Sequence, residues 1–332
     1  MNLFDCTLRD GANVVGNGFS KKLTLSILDG LINNGIKEIE FGNAKGLGAA
    51  KALNAAAPLT DEEYVCLATK YQNKASLGMF VLAALFTPDC IALAKQGKLA
   101  FLRVGAAAGD GKKAINAVKA VKAANLTCRY SLMKSYLLSA DDLAEEAAML
   151  EYNGVDKITI MDSAGTMFPK EVQQYVHAMK QRVSIPVGFH GHSNLGLSQA
   201  NALAAVDAGA DEIDCGLLGM ARSAGNCATE LAVATLKKQG YLPEVNFYGL
   251  LSFLDRELIP IMQSWDYKPI VTPEELVLGY AGCHSSFLKQ MKKVAEEKKV
   301  DLYNLIIEVS KKDRKAPTFE MISATADKLI AH

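Results

Sequence analysis

The sequence predicts a (β/α)₈ barrel followed by a helical C-terminal region. Short β-like runs recur along the first part of the chain, and each is followed by an amphipathic helical stretch. Strands that alternate with helices indicate a parallel sheet with βαβ crossovers. Eight such units in about 240 residues match the ~250 residues that are typical of this barrel. A doubly wound open sheet is the competing layout.

The strand candidates are short apolar runs, and the clearest helix candidate carries end signals on both sides. The strand candidates begin near Leu3, Lys37, Leu77, Ala100, Leu126, Lys157, Pro186 and Glu212. In the helix predicted over Asp141 to Gly154, Ser139 precedes the start and Gly154 suits the C-terminal stop. From Tyr241 onward the pattern is mainly helical. We therefore predict a barrel domain over residues 1–240 and a helical region over 241–332 that packs on the barrel or on a partner.

The composition disfavours several classes of protein. The 36 Lys and Arg residues balance 36 Asp and Glu residues, so the basic excess of a nucleic-acid binder is missing. The longest wholly apolar run, Met79 to Phe86, is far shorter than the ~20 residues of a membrane span. Seven cysteines without a CxxC pair suit free thiols in a reducing compartment. With early charges at Asp5 and Arg9 and no apolar signal region, we expect a cytoplasmic protein.

Two strand ends carry residues that could bind a metal ion. In such a barrel, functional residues lie at the C-terminal ends of the strands. The first run ends in TLRDG, with Arg9 and Asp10, and the seventh ends in FHGHSN, with His190 and His192. Residues i and i+2 of a strand point to the same side, so both imidazoles can face one site. With Asp10 they make a two-His, one-carboxylate set that suits a divalent metal. The alternative is a pair of histidines that merely ends a strand.

Two further strand ends offer polar residues. The sixth run ends in MDSAG, so Asp162 and Ser163 reach the rim, where a hydroxyl can bond a carboxylate or carbonyl. A turn formed by Asp-Ser-Ala-Gly explains the same residues. After the eighth run, glycines precede a helix predicted to start near Asn226. Asn226 then serves either a close-approach loop or a helix N-cap.

Other chemistries fit the sequence less well. The Gly-rich stretches Phe41 to Gly48 and Gly105 to Lys113 satisfy neither GxxxxGK[ST] nor the GxGxxG spacing. The sequence therefore disfavours nucleotide binding. Lys134, at the end of the fifth run, could form a Schiff base in a metal-free aldolase. The metal set makes that reading unnecessary.

Taken together, the motifs resemble a known superfamily. DCTLRDG, followed by FHGHSNLGLSQANALAAVDAGADEIDCGLLGMARSAGN, is similar to the barrels called DRE-TIM metallolyases. Farther on, LGYAGCHSSFL at Leu278 to Leu288 resembles the C-terminal region of the 4-hydroxy-2-oxoacid aldolase branch. The resemblance implies a (β/α)₈ barrel that binds Mn²⁺ or Mg²⁺ and cleaves a 4-hydroxy-2-oxoacid to pyruvate and an aldehyde.

The resemblance also implies roles for individual residues. It implies that the metal ligands are Asp10, His190 and His192, and that Asn226 joins them as in some family lyases. It implies that Arg9 neutralises the enolate of pyruvate and that Ser163 helps to hold the pyruvate unit. Aldolases of this branch often pair with an acylating aldehyde dehydrogenase, so the resemblance implies such a partner, with the helical C-terminal region serving communication or oligomerisation. We also expect the chain to form a homo-oligomer.

Two departures from the branch concern the acid/base group. Where the branch has a His two residues after RDG, this chain has Asn13, and where it has a Tyr in GYAGxYSSF, this chain has His284. An imidazole titrates near neutral pH, so our hypothesis is that His284, with Asn13, handles the substrate hydroxyl proton. The alternative is that His284 packs at the domain junction.

Two other functions stay open at the level of sequence. One is an acyl-CoA lyase, as in HMG-CoA lyase-like barrels, or a Claisen-type synthase. Those lyases carry a Cys in the Gly-rich loop after strand eight, and here Cys227 lies just past Asn226. The other is a non-catalytic barrel that retains its metal site, which the change at Asn13 would allow. The intact Arg9 beside the metal set argues against it.

Overall fold

The first 216 residues build a closed barrel of eight parallel strands. The computed structural model describes residues 1–269, 271–283, 285–313 and 316–330. The strands run in the order β1 to β8 around the barrel. Their bounds are Asn2–Asp5 (β1), Glu38–Glu40 (β2), Ser76–Leu82 (β3), Phe101–Ala107 (β4), Thr127–Met133 (β5), Lys157–Asp162 (β6), Val187–Gly191 (β7) and Glu212–Cys215 (β8). The predicted (β/α)₈ barrel is confirmed.

The closure of the barrel excludes the open-sheet alternative. β1 pairs in parallel with β8, and Asn2 lies opposite Glu212 while Asp5 lies opposite Cys215. Each observed strand begins within one residue of its predicted start. The agreement follows from burial: strands of a parallel barrel are covered on both faces, so they read as nearly continuous apolar runs.

Helices cover the outside of the barrel and form the C-terminal region. Those of the barrel are Lys21–Asn33 (α1), Ala49–Ala52 (α2), Asp61–Ala68 (α3), Pro88–Gln96 (α4), Gly111–Ala123 (α5), Ala140–Tyr152 (α6), Pro169–Arg182 (α7), Ser198–Asp207 (α8) and Thr229–Lys238 (α9). The C-terminal ones are Phe247–Phe253 (α10), Ile259–Gln263 (α11), Pro273–Ala281 (α12), Leu288–Lys298 (α13), Leu302–Lys312 (α14) and Phe319–Ile330 (α15). A π-helical segment, Leu254–Leu258, joins α10 to α11.

Two helix starts show how local hydrogen bonds set the boundaries. The Ser139 side chain accepts a bond from the backbone N–H of Asp142 at 3.1 Å, so it caps α6 as predicted. α9, in contrast, begins at Thr229 and not near Asn226. The reason is that Asn226 forms an isolated β-bridge with His192. Asn226 therefore belongs to the loop before the helix and does not cap it.

Buried ion pairs cross the interior of the barrel. Arg103 on β4 pairs with Asp214 on β8 at 2.5 Å and with Glu40 on β2 at 3.7 Å. Arg129 on β5 pairs with Glu212 on β8, and with Glu38 on β2 at 2.6 Å. β4 and β5 adjoin neither β2 nor β8, so these contacts run through the barrel centre. Charged side chains thus fill two layers that aliphatic residues usually fill in such barrels.

The C-terminal region is helical, as predicted, and it packs on the barrel through α10, which contacts α1 and α9, and through α12. Helix α12 contacts α9 of the barrel and α14 of its own region. Among the described residues, no helix combines the length and the apolar character that crossing a membrane requires.

Candidate metal centre and active site

Asp10, His190 and His192 meet at the carboxyl end of the barrel. His190 lies near the end of β7 and His192 directly follows that strand, while Asp10 sits in the turn after β1, where its N–H bonds the carbonyl of Cys6 at 2.8 Å. One ligand atom from each of the three side chains lies within 4.8 Å of the others. The Nε2 atoms of His190 and His192 are 3.7 and 3.8 Å from Asp10 Oδ2. Three buried side chains therefore converge on one point.

Asp214 fixes the orientation of the His190 ring. His190 Nδ1 lies 3.1 Å from Asp214 Oδ2. Burial alone would raise the pKa of Asp214, but Arg103 and the hydrogen bond from His190 together outweigh it and the pKa is lowered. The carboxylate is thus ionised and can only accept, so Nδ1 donates. Nε2 is left buried without a hydrogen-bond partner, which is how metal-binding histidines are usually held.

The charge states of the other two residues also suit a cation. Burial, aided by the neighbouring His190, lowers the pKa of His192 to about 4, so its imidazole is neutral near pH 7. Burial would raise the pKa of Asp10, but Arg9 and the two imidazoles outweigh it and hold that pKa well below its usual range. One carboxylate and two imidazoles form a donor set that fits a divalent metal ion. Among the described residues, no second group of this kind is found.

Asn226 completes the surroundings of Asp10. Its Nδ2 donates to Asp10 Oδ2 at 2.9 Å. Its Oδ1 is buried and has no hydrogen-bond partner. An unpaired buried carbonyl oxygen is costly unless something binds it. The side-chain amide therefore offers one further oxygen next to the Asp-His-His group.

Arg9 is clamped between two carboxylates beside this group. Its Nε donates to Glu40 Oε2 at 2.5 Å, and its Nη1 lies 3.0 Å from Asp10 Oδ1. Its Nη2 is buried without a partner. Burial alone would lower the pKa of Arg9, but Glu40 and Asp10 outweigh it and raise it, so the charge is permanent. The free Nη2 can donate to an anionic oxygen that enters the site.

A cavity of about 430 Å³ opens beside Arg9 and the Asp-His-His group, and Ser163 lines it. The Ser163 Oγ accepts the backbone N–H of Lys134 at 2.9 Å, which leaves its own proton free to donate. Asp162 has a different role: its carboxylate accepts the N–H groups of Thr166 and Met167 at 3.0 and 2.9 Å. For Asp162, therefore, the alternative of a turn formed by Asp-Ser-Ala-Gly applies, because its carboxylate bonds the backbone of that turn.

Two of the remaining candidates, Asn13 and Cys227, do not line the cavity. Asn13 donates from Nδ2 to the backbone carbonyl of Asp10 at 2.8 Å, and it is 3.4 Å from the carboxylate of that residue. His284 lies outside the described residues. Cys227 is buried with its thiol 3.1 Å from Gln199 Oε1, and burial raises its thiol pKa to about 12. It does not take the place in the cavity that the lyase alternative requires.

Sequence reasoning did not find several residues that shape the site. Glu40 and Asp214 support Arg9 and His190 from inside the barrel, and Lys45 and Arg222 line the cavity. The signal for the first two was the acidic residue inside an apolar run, as in IKEIEF and EIDCGLL. Lys45 and Arg222 stand in Gly-rich loops, where a cation is ordinarily solvated, so nothing local marked them.

Comparison with known proteins places this barrel in a family. Residues 1–256 match the family model described as HMGL-like, and residues 269–329 match the one described as a DmpG-like communication domain. The chain therefore belongs to the HMGL-like family, which confirms the resemblance found in its motifs.

Individual relatives narrow the comparison. The chain is 33% identical over 311 residues to a 4-hydroxy-2-oxovalerate aldolase of Carboxydothermus hydrogenoformans, which covers 94% of this chain and 92% of the relative. It is 32% identical over 329 residues to 4-hydroxy-2-oxovalerate aldolase 2 of Nocardia farcinica, covering 99% and 94%. The HMG-CoA lyase of Bacillus subtilis superposes with a TM-score of 0.66 at 19% identity, over 84% of this chain and 97% of that one. At that identity the solved structure shows the fold alone.

Proposed function

We propose that the chain is a divalent-metal-dependent aldolase that cleaves a 4-hydroxy-2-oxoacid to pyruvate and an aldehyde. The observation that carries the proposal is the free Nη2 of Arg9, aimed beside the Asp10, His190 and His192 group in one cavity. Cleavage of this kind needs a fixed positive charge where an enolate develops. Relatives of nearly the same length that carry the aldolase name support the same reaction.

Asp10, His190 and His192 would hold the cation, with Asn226 Oδ1 as an added ligand. When bound, Mn²⁺ or Mg²⁺ supplies Lewis-acid stabilisation to the 2-oxo group. The carboxylate and amide oxygens are the kind of ligand that suits Mn²⁺ and Mg²⁺. Asn13 and Asp214 act as positioning residues, because each bonds a ligand residue and neither lines the cavity.

The chain's own residues account for the charge and the protons of the reaction. In cleavage, the C3–C4 bond breaks and its electron pair moves into the enolate of pyruvate. The C4 hydroxyl loses its proton and becomes the aldehyde carbonyl, and C3 of the enolate then takes up a proton. Arg9 Nη2 donates to the developing enolate oxygen. The Ser163 hydroxyl donates to the carboxylate of the pyruvate unit.

His284 is our candidate for the base that takes the hydroxyl proton. Among the described residues that line the cavity, the imidazoles and the carboxylate belong to the metal group and the other titratable side chains are cations. That leaves the reaction in need of a base from elsewhere. We expect His284→Ala to lower kcat at least ~10²-fold, because general base catalysis contributes that much. A variant with nearly full activity would contradict this role.

The C-terminal region and the compartment follow from the same proposal. We propose residues 1–240 as the catalytic domain and 241–332 as the region that binds an acylating aldehyde dehydrogenase and supports a homo-oligomer. The match of residues 269–329 to a communication domain supports a separate role for the C-terminal region, although the HMGL-like match runs to residue 256, past the proposed boundary. The seven free cysteines support a reducing compartment, the cytoplasm. Size-exclusion chromatography of the chain, alone and with such a dehydrogenase, tests both associations.

A pyruvate-release assay tests the proposed reaction. Protein stripped of metal would be offered a panel of racemic 4-hydroxy-2-oxoacids, with and without added Mn²⁺. We expect release that depends on the metal, and the best chain length identifies the acceptor aldehyde. No release from any member of the panel, with Mn²⁺ shown to be bound, would overturn the proposal.

A further inference from the structure

The active-site cavity carries more positive charge than the proposed reaction uses. Besides Arg9, its lining includes Lys45, Lys134 and Arg222. Asp10 is the one carboxylate among the described residues that line it, and Arg9 already pairs with that carboxylate at 3.0 Å. The pyruvate unit of the substrate brings a single further negative charge. Three cations are therefore left over at the cavity wall.

These three cations have no acidic partner in the described part of the chain. No ion pair or side-chain hydrogen bond joins Lys45, Lys134 or Arg222 to a carboxylate there. Some lysines on the outer surface do have such a partner: Lys122 binds Asp156 at 2.7 Å and Lys180 binds Asp211 at 2.8 Å. Others there have none in the described part of the chain, so what distinguishes Lys45, Lys134 and Arg222 is that they share one cavity. Like charges that share a cavity repel one another, and an anionic ligand removes that repulsion.

The cations come from three separate loops around the barrel mouth. Lys45 follows β2, Lys134 follows β5 and Arg222 follows β8, so they surround the cavity and do not form a patch on one side. Lys134 adopts the left-handed conformation, with φ 56° and ψ 44°, and its N–H is held by Ser163 Oγ. That conformation is strained for a non-glycine residue and persists where surrounding structure holds it. Lys134 is thus held next to Ser163, the residue that we propose to bind the pyruvate unit.

We propose that the aldehyde half of the substrate carries a second anionic group, a carboxylate or a phosphate, that Lys45, Lys134 and Arg222 bind. This inference rests on the proposed aldolase function and specifies its substrate class. The proposed function assigns Ser163 to the pyruvate carboxylate, which leaves these cations to the other half of the substrate. The apolar side chains of Leu53 and Leu82 also line the cavity and contact the carbon chain between the two anionic ends.

The test compares matched aldehydes in the addition direction, with pyruvate and Mn²⁺ present. Butanal is compared with succinic semialdehyde, and glyceraldehyde with glyceraldehyde 3-phosphate, so each pair differs mainly in the anionic group. An exposed ion contact contributes up to about fivefold, so two or three contacts predict a kcat/KM ratio of about tenfold or more for the anionic member. The preference should shrink between low and high KCl, because salt screens exposed charges. The pair with the larger ratio identifies carboxylate or phosphate.

Charge-removing variants link the preference to these side chains. The variant K45M/K134M and the variant R222M should each lower the anionic-to-neutral ratio, and the three changes together should bring it close to one. The matched control is Lys70→Met, since Lys70 is an exposed lysine in the turn before β3, at the opposite end of the barrel, and it should keep the wild-type ratio. The two kcat/KM values of each ratio are measured on the same protein preparation. A loss of folded protein therefore lowers both values equally and leaves the ratio unchanged.

A separate measurement distinguishes failure of this inference from failure of the proposed function. Exchange of the C3 protons of pyruvate with D₂O reports enolate formation without any aldehyde. Exchange together with equal use of neutral and anionic aldehydes would overturn the anion inference and leave the aldolase proposal standing. An anionic preference that survives the triple variant would equally overturn it. No exchange and no addition with any aldehyde would overturn the proposed function, and this inference with it.

Discussion

Asp214 connects His190 of the Asp-His-His group to Arg103 in the barrel interior. Its replacement is therefore expected to affect both the stability of the fold and the affinity for a metal ion. Its Oδ2 atom bonds Arg103 at 2.5 Å and His190 Nδ1 at 3.1 Å. In Asp214→Asn, the amide keeps the shape of the side chain but loses the charge that both neighbours use. We expect this variant to be less stable and to bind Mn²⁺ more weakly than wild type.

The structure sets the size of both effects. Breaking a buried ion pair costs about 3–5 kcal/mol, and we expect the lower end, about 3 kcal/mol, because Glu40 still lies 3.7 Å from Arg103. Loss of the partner that orients a metal-binding histidine costs about 10- to 100-fold in metal affinity. Thermal unfolding of the metal-free protein measures the first effect, and calorimetric titration with Mn²⁺ measures the second.

Glu212→Gln is the matched control for this prediction. Glu212 lies two residues earlier on β8 and its carboxylate binds Arg129, so it belongs to the other layer of buried ion pairs and does not touch His190. We expect Glu212→Gln to lower stability comparably while leaving Mn²⁺ affinity within about twofold, since no ligand residue loses a partner. Equal Mn²⁺ affinity in Asp214→Asn and wild type, or an equal loss in both variants, would refute the reasoning.

Three further predictions concern Arg9, Glu230 and Gly165. Arg9→Lys keeps the positive charge but loses the planar guanidinium, which bonds Glu40 through Nε while leaving Nη2 free. We therefore expect kcat for pyruvate release to fall about 10²- to 10³-fold. A kcat near the wild-type value would exclude the assigned role. Burial raises the pKa of Glu230 from 4.5 to about 7, so the folded state retains a proton that the unfolded chain loses, and stability falls as pH rises across that window. Between pH 5 and pH 7, the thermal midpoint of wild type should therefore fall relative to that of Glu230→Gln. If the two midpoints changed in parallel with pH, this prediction would be contradicted. A Cβ at Gly165, where φ is +59°, would lie 2.6 Å from the His192 carbonyl oxygen, so Gly165→Ala should weaken Mn²⁺ binding in calorimetry. The control Gly209→Ala shares the positive φ but meets nothing within 4 Å, and equal affinity losses would show strain alone to be responsible.

Much of the fold can be predicted from the sequence, because the buried strands of a parallel barrel appear in the sequence as apolar runs. The HxH spacing placed His190 and His192 on one side of β7, and TLRDG placed Asp10 and Arg9 after β1, without any knowledge of the tertiary structure. The supporting carboxylates were not accessible. Glu40 and Asp214 meet Arg103 across the barrel centre, and such contacts depend on the barrel's closure and not on local spacing.

The start of α9 shows a second limit of sequence reasoning. Helix-start signals are present near Asn226, yet the backbone there bridges to His192 and the side chain bonds Asp10. Tertiary contacts therefore override the local preference and delay the helix to Thr229. Lys45 and Arg222 illustrate the same limit, because their common cavity appears only when the loops after β2 and β8 are brought to one mouth.

The placement of the cavity cations on loops has a consequence for how this barrel can be redesigned. Lys134 and Arg222 are exposed, and within the described part of the chain no ion pair joins their side chains to a carboxylate. Arg9 and His190, in contrast, are bonded to buried carboxylates. Substitution of exposed residues usually alters stability by less than about 0.5 kcal/mol. A library restricted to these loop positions would therefore sample new acceptor aldehydes at little risk of unfolding, while the groups that handle the enolate stay in place. Laboratory evolution of this scaffold should begin at the mouth and leave the barrel interior alone.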